Sequence, residues 1–169
     1  MLAKAASTVA ASSSTSERSS DPKAFTDAYL AGRIALELVP QGTLAERVRA
    51  GGAGIPAFYT PASYGTDVAK GKPVGEFDGK FYVQERWLKA DAALIKAELA
   101  DTMGNLTYRK AARNFSPLMA AAARVTIVQA TKIVAPGEID PEQVVTPGIF
   151  VDRVVEIADA KQEEALMRE

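Results

Sequence analysis

Neither histidine nor cysteine occurs anywhere in the 169 residues. That removes Ser-His-Asp and Cys-His triads, disulfides, thiolate nucleophiles and the commonest metal ligand. Any chemistry must run on carboxylates, Lys, Tyr, Ser or Thr, on backbone amides, or on residues of a partner chain. The glutamates Glu37, Glu46, Glu76, Glu85, Glu98 and Glu138 are scattered, and no two are spaced to share one helix face. Each reads as a solvated charge rather than half of an acid–base pair. Asp78 is explained by its turn, and Asp67 sits in a loop without a partner motif. Arg109-Lys110 and Arg113 have the residue types that grip a phosphate or carboxylate, but they equally suit the solvated start of a helix. No phosphate-binding G-K-[ST] motif is present, and no GxGxxG follows a strand.

The stretch with most to offer is residues 40–61, PQGTLAERVRAGGAGIPAFYTP. Gly51, Gly52 and Gly54 allow the backbone to take φ > 0 and to pass close to another group. The plainer reading is a helix C-cap followed by a packed loop. Phe58, Tyr59 and Tyr64 flank these glycines, either packing the loop or lining a cleft. Gln41 falls just past the carboxyl end of an expected strand, where the ligand crevice of an open α/β sheet lies. That makes it the best-placed polar side chain of the stretch.

These groups must be positioned by the elements around them. Asp21-Pro22 is a cap followed by proline at the first helical position, and Phe25, Tyr29 and Leu30 share a face of the helix that Gly32 ends. Residues 33–39 alternate as a half-buried strand does, with Ile34, Leu36 and Leu38 on one side. A short helix over 43–50 carries Leu44 and Val48. Residues 76–83 read as a hairpin with Asp78-Gly79 at a type I′ turn. Residues 92–99 are assigned as a strand, because the turn cluster 101–105 and a returning strand at 106–108 follow. Ser116-Pro117 is a candidate start for a helix through Ala123. The β-branched run 125–128 marks a central strand, and 149–157 a final one. Strands alternating with short helices predict an α/β layered domain with a mainly parallel sheet and a hairpin excursion.

Composition sets the outer bounds. The chain is 47% hydrophobic and 24% charged, enough for one domain with a core. A net charge of −1 points to neither nucleic acid nor a membrane surface as partner, and no apolar run is long enough to span a bilayer. Residues 1–20 are Ser-rich with little to bury and read as a disordered tail. Such an acid-poor start also suits an organellar transit peptide, though only Lys4 and Arg18 are basic. Residues 158–169 read as a polar, helix-prone tail.

Beyond this the words of the sequence take over. ELVPQGTLAERVRAGGAGIPAFYTP, GEFDGKFYVQE, GNLTYRKAARNF and VTPGIFVDRVV, in that order, resemble the A subunit of the class I CoA-transferases. These include the succinyl-CoA:3-oxoacid and 3-oxoadipate enzymes. The resemblance implies an open α/β/α layered domain over 21–157, paired with a homologous B subunit in a heterodimer or heterotetramer. The reaction it implies moves CoA from succinyl-CoA to a 3-oxo acid, acetoacetate or 3-oxoadipate. A glutamate carboxylate attacks the thioester to form an acyl-glutamyl anhydride and then a glutamyl-CoA thioester. CoA thioester enters as substrate, with no permanently bound cofactor and no metal. In the family that glutamate lies in a Ser-Glu-Asn-Gly-type motif of the B half. No glutamate here is followed by Asn-Gly, so no catalytic residue is expected in this chain. The Gly-Gly-Phe-type loop near the first strand of the A half is also absent. The match is therefore to the C-terminal portion of an A subunit, with the N-terminal part of the domain missing. Gln41, Gly42, Gly51, Gly52, Gly54 and Phe58 are expected at the inter-subunit cleft. The alternative function is a truncated, non-catalytic binding or structural module. The expected location is cytoplasmic, or the mitochondrial matrix if the tail is a transit peptide.

Overall fold

The computed structural model describes residues 22–34 and 37–159. The Ser-rich stretch 1–20 and most of the polar stretch 158–169 lie outside the described residues. The chain forms two compact units, Met1–Gln41 and Gly42–Glu169.

In the first unit, helix α1 spans Pro22–Leu30. It ends as its sequence requires, on Gly32 with φ +66°. Arg33 N–H reaches back to the Ala28 carbonyl and Gly32 N–H to that of Tyr29, satisfying carbonyls that the last turn leaves open. The strand expected over 33–39 is not found among the described residues. Residues 33 and 34 form a bend, 37–40 have no regular structure, and Leu38 is 66% exposed. Alternation describes a strand's two faces, but only a hydrogen-bonded neighbour makes a strand, and no described strand pairs here.

The second unit begins with helix α2, Gln41–Ala53. It runs past the expected end at Ala50 and takes Gly51 and Gly52 into its last turn. Glycine in a helix interior costs about 1 kcal/mol relative to alanine, so packing must hold the turn. Leu88 N–H donates to the Arg47 carbonyl at 2.8 Å, and Arg47 Nε donates to the Arg86 carbonyl at 3.0 Å. Gly54, at φ +73°, is the true C-cap: Ile55 N–H bonds the Ala50 carbonyl across it at 2.9 Å.

Two sheets follow. The first is antiparallel with order β1-β3-β2: β1 Ala57–Thr60, β2 Val74–Phe77 and β3 Lys80–Arg86. The β2–β3 hairpin turns on Asp78 and Gly79, both at positive φ (50° and 72°), as an Asp-Gly type I′ turn demands. The aromatic stretch after the glycines, read from the sequence as a packed loop, is strand β1, added to the far edge of β3.

The second sheet is mixed and mostly parallel, in the order β5-β4-β6-β7. β4 is Ala90–Asp101, β5 Leu106–Thr107, β6 Ala123–Val134 and β7 Arg153–Glu156. β4, β6 and β7 are parallel, and β5 returns antiparallel on β4. Helix α3, Ala112–Ala122, links β5 to β6. It starts four residues before Ser116, so Ser116 does not cap it and Pro117 lies inside it. At the sixth helical position Pro117 removes the bond to the Arg113 carbonyl and crowds that carbonyl, at a cost of about 3 kcal/mol, so the packing of the apolar face through Met119, Ala120 and Ala122 must outweigh it. The last strand is shorter than the expected 149–157, because Gly148–Phe150 forms a 3₁₀ turn first.

The core lies between α3 and one face of this sheet. Ala93, Ile95 and Ala97 of β4, with Val128 and Ala130 of β6, meet Ala120, Leu106 and Tyr108. The register places Ile95 beside Val128 and Ala97 beside Ala130, so alanines on both strands let the helix sit low. Each buried Leu, Ile or Val contributes about 1.5–3 kcal/mol. The opposite face carries Leu94, 73% exposed, beside Ile127. With Lys96, Gln129 and Val155 these line an open groove of about 360 Å³.

Candidate functional site

The residues singled out in the sequence are arranged along and just after α2. Gln41 and Gly42 form its exposed first turn, and a Cβ added to Gly42 would meet nothing within 4 Å. Gly51 and Gly52 lie near the other end, about 14 Å from Gly42 at a rise of about 1.5 Å per residue. The helix therefore divides the group instead of gathering it around one loop. Gly51 is buried, and a Cβ there would run into the Leu88 carbonyl oxygen. At Gly52 it would stand 2.9 Å from the Ala121 Cβ. These two glycines let α2 press against the 86–88 segment and against α3. Gly54 faces open space and owes its glycine to its positive φ. Phe58, half-buried in β1, stands opposite Glu85 of β3.

Around Phe58 the three-stranded sheet has two unlike faces. On one, Tyr59, Phe77 and Tyr82 meet edge to face, with centroids 5.0 and 5.6 Å apart, and Gln84 Nε2 donates to the Tyr59 hydroxyl at 3.3 Å. Gly75 leaves room for this cluster; a Cβ there would lie 3.0 Å from both the Tyr59 and Phe77 rings. On the other face Glu85, 3% exposed, pairs with Lys72 at 2.5 Å. Lys72 and Glu85 are thirteen residues apart on different elements, so no spacing rule could have joined them.

A second constellation lies at the carboxyl end of β4. Asp101 Oδ1 accepts the N–H groups of Met103 and Asn105, both at 2.9 Å, and Oδ2 accepts Asn105 Nδ2 at 2.8 Å. Burial acts to raise the Asp101 pKa, but donors from Asn105, Met103 and Gly104 together outweigh it and hold the carboxyl below its ordinary range. Asn105 Oδ1 in turn accepts Gly148 N–H at 3.0 Å. A Cβ at Gly148 would collide with the Met103 carbonyl oxygen, and one at Gly104 would stand 3.2 Å from Gly148 Cα and Val151 Cβ, a tight contact. A cleft of about 300 Å³ opens beside them, lined by Asp101, Met103, Ile133, Val151 and Arg153. The turn cluster 101–105 was legible as a turn; its docking on residues 147–151 was not. Behind it Tyr108 and Thr146 share a buried hydroxyl–hydroxyl hydrogen bond of 2.7 Å.

Three acids elsewhere are also occupied. Glu46 pairs with Arg49 on α2, and that hydrogen bond lowers its pKa. Asp152 accepts Thr126 N–H at 2.7 Å, and Glu156 accepts Ile133 N–H at 2.6 Å. Arg109, Lys110 and Arg113 are exposed before and within the first turn of α3, with Lys110 at φ +54°. No described helix is long and apolar enough to cross a membrane.

Comparison with known proteins shows what the chain is related to. The chain is 57% identical over 143 residues to the A subunit of 3-oxoadipate CoA-transferase from Pseudomonas putida, covering 85% of this chain and 62% of that protein. It is 62% identical over 133 residues to the A subunit of succinyl-CoA:3-ketoacid coenzyme A transferase from Xanthomonas campestris, covering 79% and 55%. The chain thus spans a little over half the length of these curated relatives. Among solved structures, an acyl-CoA transferase from E. coli O157:H7 superposes with a TM-score of 0.69 at 25% identity, covering 82% of this chain and 31% of that one. Glutaconate coenzyme A-transferase from Acidaminococcus fermentans gives 0.68 at 24% identity, covering 78% and 49%, a likeness of fold. Residues 2–157 match the coenzyme A transferase family, and the chain belongs to it.

Proposed function

We propose that this chain serves as the A-side portion of a 3-oxoacid-type CoA-transferase, moving CoA from succinyl-CoA to acetoacetate or 3-oxoadipate. The observation that carries this reading is the identity of 57% and 62% to the A subunits of the two enzyme types, sustained over most of the chain. The chemistry of the residues fits. Thioester exchange through a carboxylate nucleophile needs neither His nor Cys, and this chain has neither. The buried acids Glu85 and Asp101 are held by Lys72 and by loop donors, which suits them to structure and leaves the nucleophile to the B subunit. Gln41 and Gly42, at the open start of α2, and Phe58 in β1 then face the inter-subunit cleft with Gly54 at the helix end. Gly51 and Gly52 serve the cleft indirectly, by setting where α2 lies. The cytoplasm is the proposed site of action.

The test is reconstitution. The purified chain is mixed with the B subunit of a 3-oxoadipate CoA-transferase and, separately, with that of a succinyl-CoA:3-oxoacid enzyme. Complex formation is followed by light scattering, and turnover of succinyl-CoA with each acceptor is measured. The chain alone should be inactive, and a mixture should form a complex. Turnover by the chain alone would place the nucleophile here and end the reading. Failure to bind either B subunit would leave the non-catalytic module as the better description.

A further inference from the structure

The link between β1 and β2 makes an unusual passage. Thr60 and Val74, at its two ends, both lie opposite Val83 of β3, one on each side. Residues 61–73 must therefore cross from one edge of the sheet to the other over β3. They cross on the face that bears Phe81, Val83 and Glu85. Tyr64 stacks on Phe81 with centroids 5.2 Å apart and planes 15° from parallel, and Lys72 Nζ lies 2.5 Å from Glu85 Oε1. Beneath the crossing Val83 is fully buried and Glu85 nearly so.

The backbone of this strap is tied mostly to itself. Its hydrogen bonds close internal turns, such as Thr66 to Ser63, Ala69 to Thr66 and Lys72 to Ala69, while a bond from Gln84 N–H to the Pro73 carbonyl joins its end to the sheet. Ser63, Gly65 and Gly71 all have positive φ, so the path is a chain of tight reversals with one short 3₁₀ turn at Asp67–Ala69. The pair is part-buried, with Glu85 3% and Lys72 22% exposed, and an ion pair so withdrawn from water is a poor way to gain stability, since an apolar pair of the same shape serves as well. It does fix position, because the buried Glu85 charge does not tolerate the loss of its partner.

We propose that Lys72 and Glu85 form a latch that holds the strap 61–73 across β3 and so positions the face bearing Phe58, the cross-strand partner of Glu85. The consequence for the cleft rests on the proposed function above; the latch itself does not. Lys72 and Glu85 are positioning residues. Releasing the latch frees the strap locally and leaves the mixed sheet intact.

Hydrogen exchange on the chain alone tests this. In Lys72→Met the strap amides and Gln84 N–H should exchange about 10- to 100-fold faster, while amides of the β4–β6 ladder such as Ile95 and Val128 keep their rates. Lys72→Arg keeps the charge and should stay within roughly threefold of wild type at every site. Unchanged strap exchange in Lys72→Met overturns the proposal. So does an equal rise across β4 and β6, which would make the pair a support of the whole unit. Arg as loose as Met would show that charge does not hold the strap. Should Lys72→Met fail to fold, Glu85→Gln, which keeps the shape without the charge, provides the same local comparison. The readout needs neither a B subunit nor turnover, so its failure and the failure of the CoA-transferase reading are told apart.

Discussion

Two glycine-to-alanine changes in the same helix should move stability in opposite directions. At Gly42 a Cβ meets nothing within 4 Å and φ is ordinary. Alanine there should stabilise by a few tenths up to about 1 kcal/mol, from the lower entropy of the unfolded chain. At Gly51 the same propensity gain, about 1 kcal/mol, is set against a collision with the Leu88 carbonyl oxygen. That carbonyl is backbone, and the neighbouring Leu88 N–H is tied to Arg47 at 2.8 Å, so it cannot swing aside as a side chain would. Overpacking costs about 1–3 kcal/mol, and straining the Leu88–Arg47 bond adds about 1 kcal/mol. The net loss at Gly51→Ala is about 2 kcal/mol. At roughly 3 °C per kcal/mol for a domain of this size, thermal unfolding followed by far-UV circular dichroism should show Gly51→Ala melting about 6 °C lower. Gly42→Ala should melt about 1–3 °C above wild type. A Gly51→Ala variant as stable as wild type would refute the packing argument and return this glycine to a purely functional reading.

Other predictions follow from the buried polar groups and the open sheet face. Tyr108→Phe should cost about 1–3 kcal/mol by leaving the buried Thr146 hydroxyl without its 2.7 Å partner; adding Thr146→Val should recover part of the loss, and a strictly additive double variant in denaturant titrations would contradict the pairing. Asp101, whose pKa is depressed in the folded chain, stabilises above its unfolded pKa of about 3.9, and that stability drains away as pH falls through the folded value. The melting-temperature gap between wild type and Asp101→Asn should therefore be constant from pH 7 to about 5 and close below about 4; a gap that widens in acid would reverse the sign argued here. Leu94→Lys, at a position 73% exposed, should leave the melting temperature within about 2 °C while reducing self-association in sedimentation velocity; a large loss of stability would mean that Leu94 is packed.

Gly51, Gly52 and Gly54 show why a cluster that reads as one motif can do several jobs. Composition suggested a flexible loop that approaches another group closely. The close approach is there, but it is made by a helix: Gly51 to the Leu88 carbonyl and Gly52 to Ala121. Only Gly54 of the three uses the left-handed freedom that glycine offers. Substitution at Gly52 in an active complex would thus act through the seating of α2 against α3, and turnover should fall in step with stability.

Local signals determined a good deal by themselves. Asp78-Gly79 specified its hairpin turn because few residue pairs tolerate two successive positive φ angles. Gly32 marked a helix end because glycine takes a positive φ without strain; the sequence reading ends α2 at Ala50, three residues short of Ala53. The β-branched run 125–128 announced a central strand, and the lack of His and Cys narrowed the chemistry before any fold was known. Periodicity could not say which elements would find partners. The alternating stretch 33–39 has the pattern of a strand without a described neighbour, whereas the aromatic run 57–60 became one because β3 offered a free edge. Helix α2 extended through two glycines, and α3 began before its best cap, because packing against Leu88, Ala121 and the sheet outweighs propensities of about 1 kcal/mol. The ion pair between Lys72 and Glu85, the bond from Asn105 to Gly148 and the hydroxyl pair of Tyr108 and Thr146 join residues 13 to 43 positions apart. Such contacts exist only once the chain has closed its loops, because no local property of either residue encodes the other.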